Sequence, residues 1–359
     1  MSWGIGFVNS DERRKIRDMN KESFYCQWHI TDRCNLSCKH CYQNATKAYS
    51  DVDYEKLTLV ADKLDEACNK WNVNLEIALT GGEPFSRKND CLKLLEYISN
   101  KSTVVRIDIL SNGLLLTPDI VKELKLLKKL NSIQISLESY NEKTHDEIRG
   151  VGSFCRAIDA IRLLKSNGLK CGTMMTLSKL NYKNIRKMYN FATQLNLDYF
   201  GVDRFIPEEI DKYGFNASVL NKEELKEAFE EVGKLFNERK KTRKGPELFP
   251  YRPLFCLLNE DVGSEFGGAC SAGGSSLTIM PNGDVLPCRR LPIKVGNILQ
   301  DGVFKIWYTS DVLWKLRNGS GLSEKCATCK YLSKCRGCRA MAYAVTGNYM
   351  GEDMLCWKQ

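Results

Sequence analysis

The sequence predicts an α/β chain whose first two thirds form a parallel sheet, closed or partly closed into a barrel, followed by a small cysteine-rich unit. Three observations carry this expectation. Six strand-like runs alternate with helix-period segments, chemically reactive residues collect just after those runs, and 16 of the 359 residues are Cys. Right-handed crossovers between successive strands build a parallel sheet, and such sheets bind ligands at the carboxyl ends of their strands.

Phe24–Ile30 is the first run, and the helix after it shows in Leu57, Val60, Ala61, Leu64 and Cys68, which recur at three- and four-residue steps. Leu75–Thr80 and Val104–Leu110 follow as the second and third runs. A helix carrying Val121, Leu124 and Leu127 starts at Pro118, a residue that a first helical turn tolerates. Ile133–Leu137 is the fourth run. The helix from about Phe154 ends before Gly168, which suits a left-handed cap. Cys171–Leu177 and Tyr199–Ile206 complete the set. Beyond Pro207 comes a long polar helix near Asn221–Lys240, then a stretch rich in Gly, Pro and Cys. The expected division is an N-terminal segment 1–23, a barrel 24–245 and a cysteine-rich unit 246–359. The last unit has little apolar periodicity beyond Phe304–Leu316, so metal is expected to staple it.

Composition narrows the function classes. The chain is 43% hydrophobic and 27% charged, with mean hydropathy −0.35, and no apolar run reaches the roughly 18 residues of a membrane span. No basic segment followed by an apolar stretch marks an exported start, so a cytoplasmic, reducing location is expected. Clustered thiols there indicate metal or redox chemistry ahead of disulfides. The net charge is +9, but its basic residues scatter in short runs such as Arg13-Arg14-Lys15, without the aromatic-interleaved stripe of a nucleic-acid binder.

Directly after the first run stands Cys34-Asn-Leu-Ser-Cys38-Lys-His-Cys41. Structural zinc takes four protein ligands, whereas three thiolates suit three irons of a [4Fe–4S] cluster and leave the fourth iron to a chelating small molecule. After the second run comes Thr80-Gly81-Gly82-Glu83-Pro84, where glycines permit close backbone approach and Glu83 offers an acceptor for an ammonium. Ser111-Asn112-Gly113, Ser136-Leu137-Glu138 and Arg149 add groups suited to a ribose and a carboxylate. In the tail, Cys270 is followed by Gly283 and Cys288, and later by Cys326-x2-Cys329-x5-Cys335-x2-Cys338 and Cys356. The gap between the two late pairs is short for a zinc ribbon.

The C-x3-C-x2-C loop of Cys34, Cys38 and Cys41, with Gly81-Gly82-Glu83-Pro84 one strand later, resembles the radical S-adenosylmethionine (radical SAM) enzymes. The resemblance implies a partial (β/α)6 TIM-like barrel and a reducing cluster on the three cysteines. Gly81, Gly82 and Glu83 would then hold the methionyl amine. Asn112 and Ser136 would face the ribose, Arg149 the carboxylate with Arg204 beside it, and His40 the adenine. The tail resembles the SPASM domain, which implies two auxiliary [4Fe–4S] clusters. Cys326, Cys329, Cys335 and Cys356 would bind the outer one, and Cys270, Cys288 and Cys338 the inner one, with Cys256 as its candidate fourth ligand. The other cysteines, Cys26, Cys68, Cys91, Cys155 and Cys171, are expected to be packing residues.

Two departures stand out: Cys335 and Cys338 are separated by two residues where the family has three, and Cys256 lies in an apolar stretch. Without Cys256 one inner iron would be open to a substrate thiolate. Sulfatase maturases carry an Asp base after the second inner cysteine, whereas here Arg289 and Arg290 follow Cys288. The favoured expectation is a maturase that installs a thioether, carbon–carbon or carbon–heteroatom cross-link, or an epimerised centre, in a ribosomally made peptide. Its partners would be that peptide, an electron donor such as flavodoxin or ferredoxin, and a separate peptide-recognition protein. A haem-pathway decarboxylase is the rival enzyme, and a non-catalytic iron–sulfur electron-transfer protein is the rival of another class.

Overall fold

The computed structural model describes residues 22–43, 50–207, 211, 213–249, 252–258, 266–267 and 270–358. The basic run at 13–15 and the expected N-terminal segment up to residue 21 lie outside the described residues. Six parallel strands appear where the alternation places them: β1 (Ser23–His29), β2 (Asn74–Thr80), β3 (Val104–Ser111), β4 (Leu130–Ser136), β5 (Cys171–Leu177) and β6 (Tyr199–Arg204), each paired to the next. The helices between them are α1 (Tyr54–Trp71), α2 (Lys88–Ser99), α3 (Pro118–Leu124), α4 (Glu142–Arg149), α5 (Ser153–Ser166) and α6 (Ile185–Gln194). The long polar helix is α7 (Lys222–Thr242), closed at its start by a reciprocal capping box between Asn221 and Glu224.

The sheet does not stop at six strands. β7 (Glu247–Leu248) pairs parallel with β6, and β8 (Ser276–Ile279) pairs parallel with β1 on the other side. β9 (Asp284–Leu286) and β10 (Gly296–Asn297) add antiparallel. The order is therefore β10-β9-β8-β1-β2-β3-β4-β5-β6-β7, an open, partial barrel. Five short helices complete the tail: α8 (Ile298–Asp301), α9 (Val303–Thr309), α10 (Asp311–Asn318), α11 (Glu324–Ala327) and α12 (Arg339–Thr346).

Local sequence explains the helix starts that position the site. Asp53 and Thr117 accept from backbone N–H groups at the starts of α1 and α3, and Pro118 occupies the first turn of α3. Gly168 adopts φ +75°, the left-handed conformation expected after α5. One face of the strands packs on the helices through Trp28, Leu75, Ile77, Leu79, Ile107 and Ile109. Alternation turns the other face of β2 and β3 to the interior, where Arg106 is salt-bridged to Asp108 at 2.7 Å and lies 4.0 Å from Glu76.

The tail is anchored by apolar burial against the barrel. Leu277, Ile279, Val285, Leu291, Ile298, Val303, Ile306 and Leu313 belong to the same buried cluster as the barrel core. Trp307 of α9 packs at 5.3 Å from Phe24 and 5.5 Å from Trp71. These contributions escape a periodicity reading because β8 to β10 span only two to four residues each. Among the described residues no helix is long and apolar enough to cross a membrane.

Candidate functional site

The first cysteine loop leaves β1 at its carboxyl end and passes over the mouth of the barrel. Lys39 N–H donates to the Ile148 carbonyl at 2.8 Å, docking the loop on the end of α4. The sulfurs collect donors: Leu36 N–H reaches Cys34 Sγ and Gln43 N–H reaches Cys41 Sγ, each at 3.4 Å. Arg149 Nη1 stands 3.8 Å from Cys38 Sγ, and Asn112 Nδ2 stands 3.8 Å from Cys34 Sγ. Burial pushes the Cys34 thiol up to about 11 and Cys38 up to about 12, so thiolates here need a bound metal. Backbone donors and a cation aimed at sulfur are what an anionic cluster requires of its surroundings. Among the described residues no group of three or more Cys, His, Asp or Glu is placed to hold a single metal ion.

Gly81 and Gly82 are needed because backbone passes where side chains would stand. A Cβ on Gly81 would lie 2.6 Å from the Thr31 carbonyl oxygen, and one on Gly82 would lie 2.3 Å from that of Arg33. Gly82 N–H donates to Thr31 O at 2.7 Å and Glu83 N–H to Arg33 O at 2.8 Å, so this turn buttresses the residues just before Cys34. Glu83 is fully buried. Its carboxylate accepts from Phe85 N–H at 3.2 Å, Ser111 Oγ at 2.8 Å and Asn112 N–H at 2.7 Å. Burial nonetheless pushes its pKa up to about 7, a poise that a ligand ammonium would relieve.

Asn112 commits its side chain to this cradle: Nδ2 donates to Asn35 Oδ1 at 2.8 Å and Oδ1 accepts from Leu114 N–H at 2.9 Å. Ser136 stands half-buried at the carboxyl end of β4. Arg149 Nε and Nη2 both donate to Glu138 Oε1, at 2.9 and 2.6 Å. His40 Nε2 meets the same oxygen at 3.3 Å, its ring lies 6.0 Å from Phe215, and its buried Nδ1 has no partner.

Sequence reading noted the residue at the centre of this group but gave it no role of its own. Glu138, fully buried, also accepts from Thr176 N–H at 2.7 Å through its second oxygen, and the Arg149 guanidinium and His40 hold its carboxyl far below the usual range despite burial. His145 backs it, accepting from Glu138 N–H at Nδ1 over 3.2 Å, with its own pKa pushed down to about 4 by burial. The signal was present as Ser136-Leu137-Glu138, an acid at a strand end followed by a cation eleven residues on.

The tail sulfurs form two groups. A cavity of about 650 Å³ is lined by Cys326, Cys329, Cys335 and Cys356 together with Leu254, Leu257 and Tyr331. Cys270, Cys288 and Cys338 form the other; the charges of Cys288 and Cys338 help raise the Cys270 thiol, after burial. Four sulfurs around a cavity, and three in mutual reach nearer the barrel, fit iron–sulfur clusters.

Two expected positions are corrected here. Cys256 stands not with Cys270, Cys288 and Cys338 but on Cys335, within electrostatic reach of Cys329. The two thiols lie close enough for the charge state of each to bear on the other. The single turn 255–257 carries it there, with Phe255 stacked 3.8 Å from Phe229. Arg204 does not turn toward the first loop. Its Nη1 donates to Asp353 Oδ2 at 2.8 Å and its Nη2 to the Pro253 carbonyl at 3.0 Å, with both charged side chains almost wholly buried. Asp353 also accepts from Cys338 N–H at 2.8 Å, so this pair ties β6 to the inner sulfur group. Of the remaining cysteines, Cys26, Cys68, Cys91 and Cys171 are buried, while Cys155 is exposed on α5.

Residues 28–192 match the radical SAM superfamily, and residues 270–339 match SPASM, an iron–sulfur cluster-binding domain. The chain is 30% identical to the AdoMet-dependent heme synthase of Methanosarcina barkeri (strain Fusaro), over 92% of this chain and 95% of that protein. It is 28% identical to the antilisterial bacteriocin subtilosin biosynthesis protein AlbA of Bacillus subtilis (strain 168), over 93% and 72%. SuiB of Streptococcus suis, solved with S-adenosylmethionine, shares the fold at a TM-score of 0.74 and 19% identity, over 99% of this chain and 84% of that one. The chain therefore belongs to the radical SAM superfamily, in the branch with a C-terminal SPASM domain, and its cofactors are [4Fe–4S] clusters and S-adenosylmethionine.

Proposed function

We propose that this radical SAM enzyme abstracts hydrogen from a carbon of a ribosomally made peptide at the barrel mouth, leading either to a thioether, carbon–carbon or carbon–heteroatom cross-link or to an epimerised centre. The observation that carries the reading is the pairing of a three-sulfur loop over the mouth with two further sulfur groups beside it, one of them tied to β6 through Arg204 and Asp353. When bound, a cluster held by Cys34, Cys38 and Cys41 would supply the electron for reductive cleavage of S-adenosylmethionine and so the power to abstract hydrogen, and in a cross-linking reaction clusters held by the tail cysteines would accept the electron that the substrate gives up.

The chain's own groups bind and orient. Glu83, poised near neutrality, receives the methionyl ammonium while keeping the turn after β3 in place. Arg149 faces the first sulfurs with its planar group fixed by Glu138, and His40, its ring 6.0 Å from Phe215, keeps a buried, unpartnered Nδ1. The small apolar cluster of Ile148, Phe205 and Phe215 excludes water beside it. Likeness to AlbA, and to a fold solved in SuiB with its precursor peptide SuiA, supports the peptide substrate.

A second reading, oxidative decarboxylation of a tetrapyrrole side chain, is favoured by the near end-to-end likeness to the heme synthase. The test is anaerobic reconstitution with reductant and S-adenosylmethionine. Formation of 5′-deoxyadenosine supports radical chemistry, and its absence leaves only electron transfer. A small peptide encoded nearby that loses two hydrogens, or exchanges one with solvent, supports the maturase. Carbon dioxide released from a porphyrin carboxylate, with every peptide unchanged, replaces it with the second reading.

A further inference from the structure

Arg289 is a buried cation with no acid beside it among the described residues. Its side chain leaves the residue after Cys288, the whole residue is 8% exposed, and no Asp or Glu among the described residues lies within salt-bridge distance of it. The guanidinium carbon stacks 4.4 Å from the Tyr42 ring centroid, and Nη2 donates to the Tyr42 carbonyl at 3.2 Å. Nε is buried and has no hydrogen-bond partner. Its neighbour shows the contrast: Arg290 is paired with Asp203 at 2.9 Å, and Asp203 is further approached by Arg252 at 3.4 Å. His29, fully buried at the end of β1, is kept neutral by burial and by the Arg289 cation.

A buried, incompletely paired charge is costly unless something completes it. A guanidinium held flat against an aromatic ring presents its N–H edge as a fixed fork, the geometry that matches the two oxygens of a carboxylate. Its place limits what that carboxylate belongs to. Tyr42 follows Cys41 and Arg289 follows Cys288, so the cation sits between the first sulfur loop and the inner tail sulfurs. A substrate must lie between those groups if hydrogen leaves it on one side and an electron on the other.

We propose that Arg289 is a specificity-determining residue that binds a carboxylate of the substrate in this gap. The inference rests on the reading of the protein as a substrate-oxidising radical enzyme and names the chemistry that anchors the substrate. An acidic side chain or terminus of a peptide and a propionate of a tetrapyrrole present the same group.

The test uses the reconstituted holoenzyme under argon, saturated with S-adenosylmethionine so that the cofactor's own carboxylate is already placed. Succinate is the first probe and neutral succinamide its control, with thermal stability as the readout. Succinate should stabilise the wild type, leave Arg289→Met unmoved and act weakly on Arg289→Lys, while succinamide moves none of them. Without probe, Arg289→Met should be at least as stable as the wild type, because it removes an incompletely paired buried charge.

Coproporphyrin III against its tetramethyl ester, and a Glu-containing peptide against its Gln counterpart, then distinguish the sources. The carboxylate form that loses about tenfold in affinity in Arg289→Met, while its neutral form loses nothing, identifies the substrate side. Succinate acting equally on wild type and variant, or on neither, overturns the proposal. A shifted potential of the inner cluster with no discrimination between probes also overturns it, because Arg289 would then serve the cluster. Formation of 5′-deoxyadenosine without substrate, measured on the same preparations, reports separately on the radical chemistry.

Discussion

The turn Gly81-Gly82 should fail sharply when a single methyl group is added. In Gly82→Ala the new Cβ would meet Arg33 O at 2.3 Å, Arg33 C at 2.7 Å and Asp32 O at 2.8 Å. Ordinary contact begins near 3.4 Å, so the Arg33 carbonyl must retreat by about 1 Å. That carbonyl and the one at Thr31 receive the two N–H groups that hold the loop, at 2.8 and 2.7 Å. Both bonds weaken in the retreat, at roughly 1 kcal/mol each, with overpacking strain of about 1–3 kcal/mol besides. Cys34 is the next residue, so the displacement falls on a cluster ligand rather than on the core. The expected result is loss of roughly four of about twelve irons and a fall of about 100-fold or more in 5′-deoxyadenosine formation. Gly233→Ala is the control. Its Cβ meets nothing nearer than 3.5 Å inside α7, so iron should be unchanged and stability should rise by about 0.5–1 kcal/mol. Full iron and cleavage within about twofold of the parent in Gly82→Ala would refute the buttress.

Glu83 titrates near 7 in the folded protein, above the 4.5 of an ordinary Glu. Folding therefore favours its protonated form, an advantage present below pH 4.5 and lost as pH rises toward 7. An ammonium ligand favours the ionised form, so S-adenosylmethionine affinity should rise about tenfold from pH 6 to pH 8 through this group. Equilibrium titrations of wild type and Glu83→Gln isolate that slope from the ligand's own titration. Glu138→Gln strands the buried Arg149 and should cost about 3–5 kcal/mol in urea unfolding; further mutation to Arg149→Met recovers part of it. Cys256→Ser should keep the iron content and Mössbauer spectrum of the parent, whereas Cys335→Ser loses iron, because the cavity is lined by Cys326, Cys329, Cys335 and Cys356.

Much of this architecture was readable because each strand is followed by residues of one kind of chemistry. The six barrel strands announce themselves as apolar runs between amphipathic helices, and the triple-cysteine spacing is set by how many irons a short loop can reach. What escaped depends on contacts distant in sequence. Cys256 looks like a neighbour of Cys270 along the chain, yet a single turn anchored by Phe255 on Phe229 delivers it to Cys335. Arg204 ends a strand where cofactor ligands gather, but its side chain is drawn to Asp353, 149 residues later. Glu138 was visible as a strand-end acid, and only the converging Arg149, His40 and Thr176 reveal what it organises. Strands β8 to β10 are too short to show a period of two.

The ladder between β8 and β1 bears on how the protein is made. During synthesis β1 emerges early, while the strand that covers its outer edge, Ser276–Ile279, follows roughly 250 residues later, tens of seconds at ribosomal speeds. Until then the first strand presents unpaired amide and carbonyl groups directly beside three thiols. Chaperones and iron-delivery factors would thus meet a nascent chain whose oxygen-sensitive loop is not yet braced. Ribosome stalling before codon 276 should leave a product prone to aggregation, and stalling after codon 290 one that can seal its own seam.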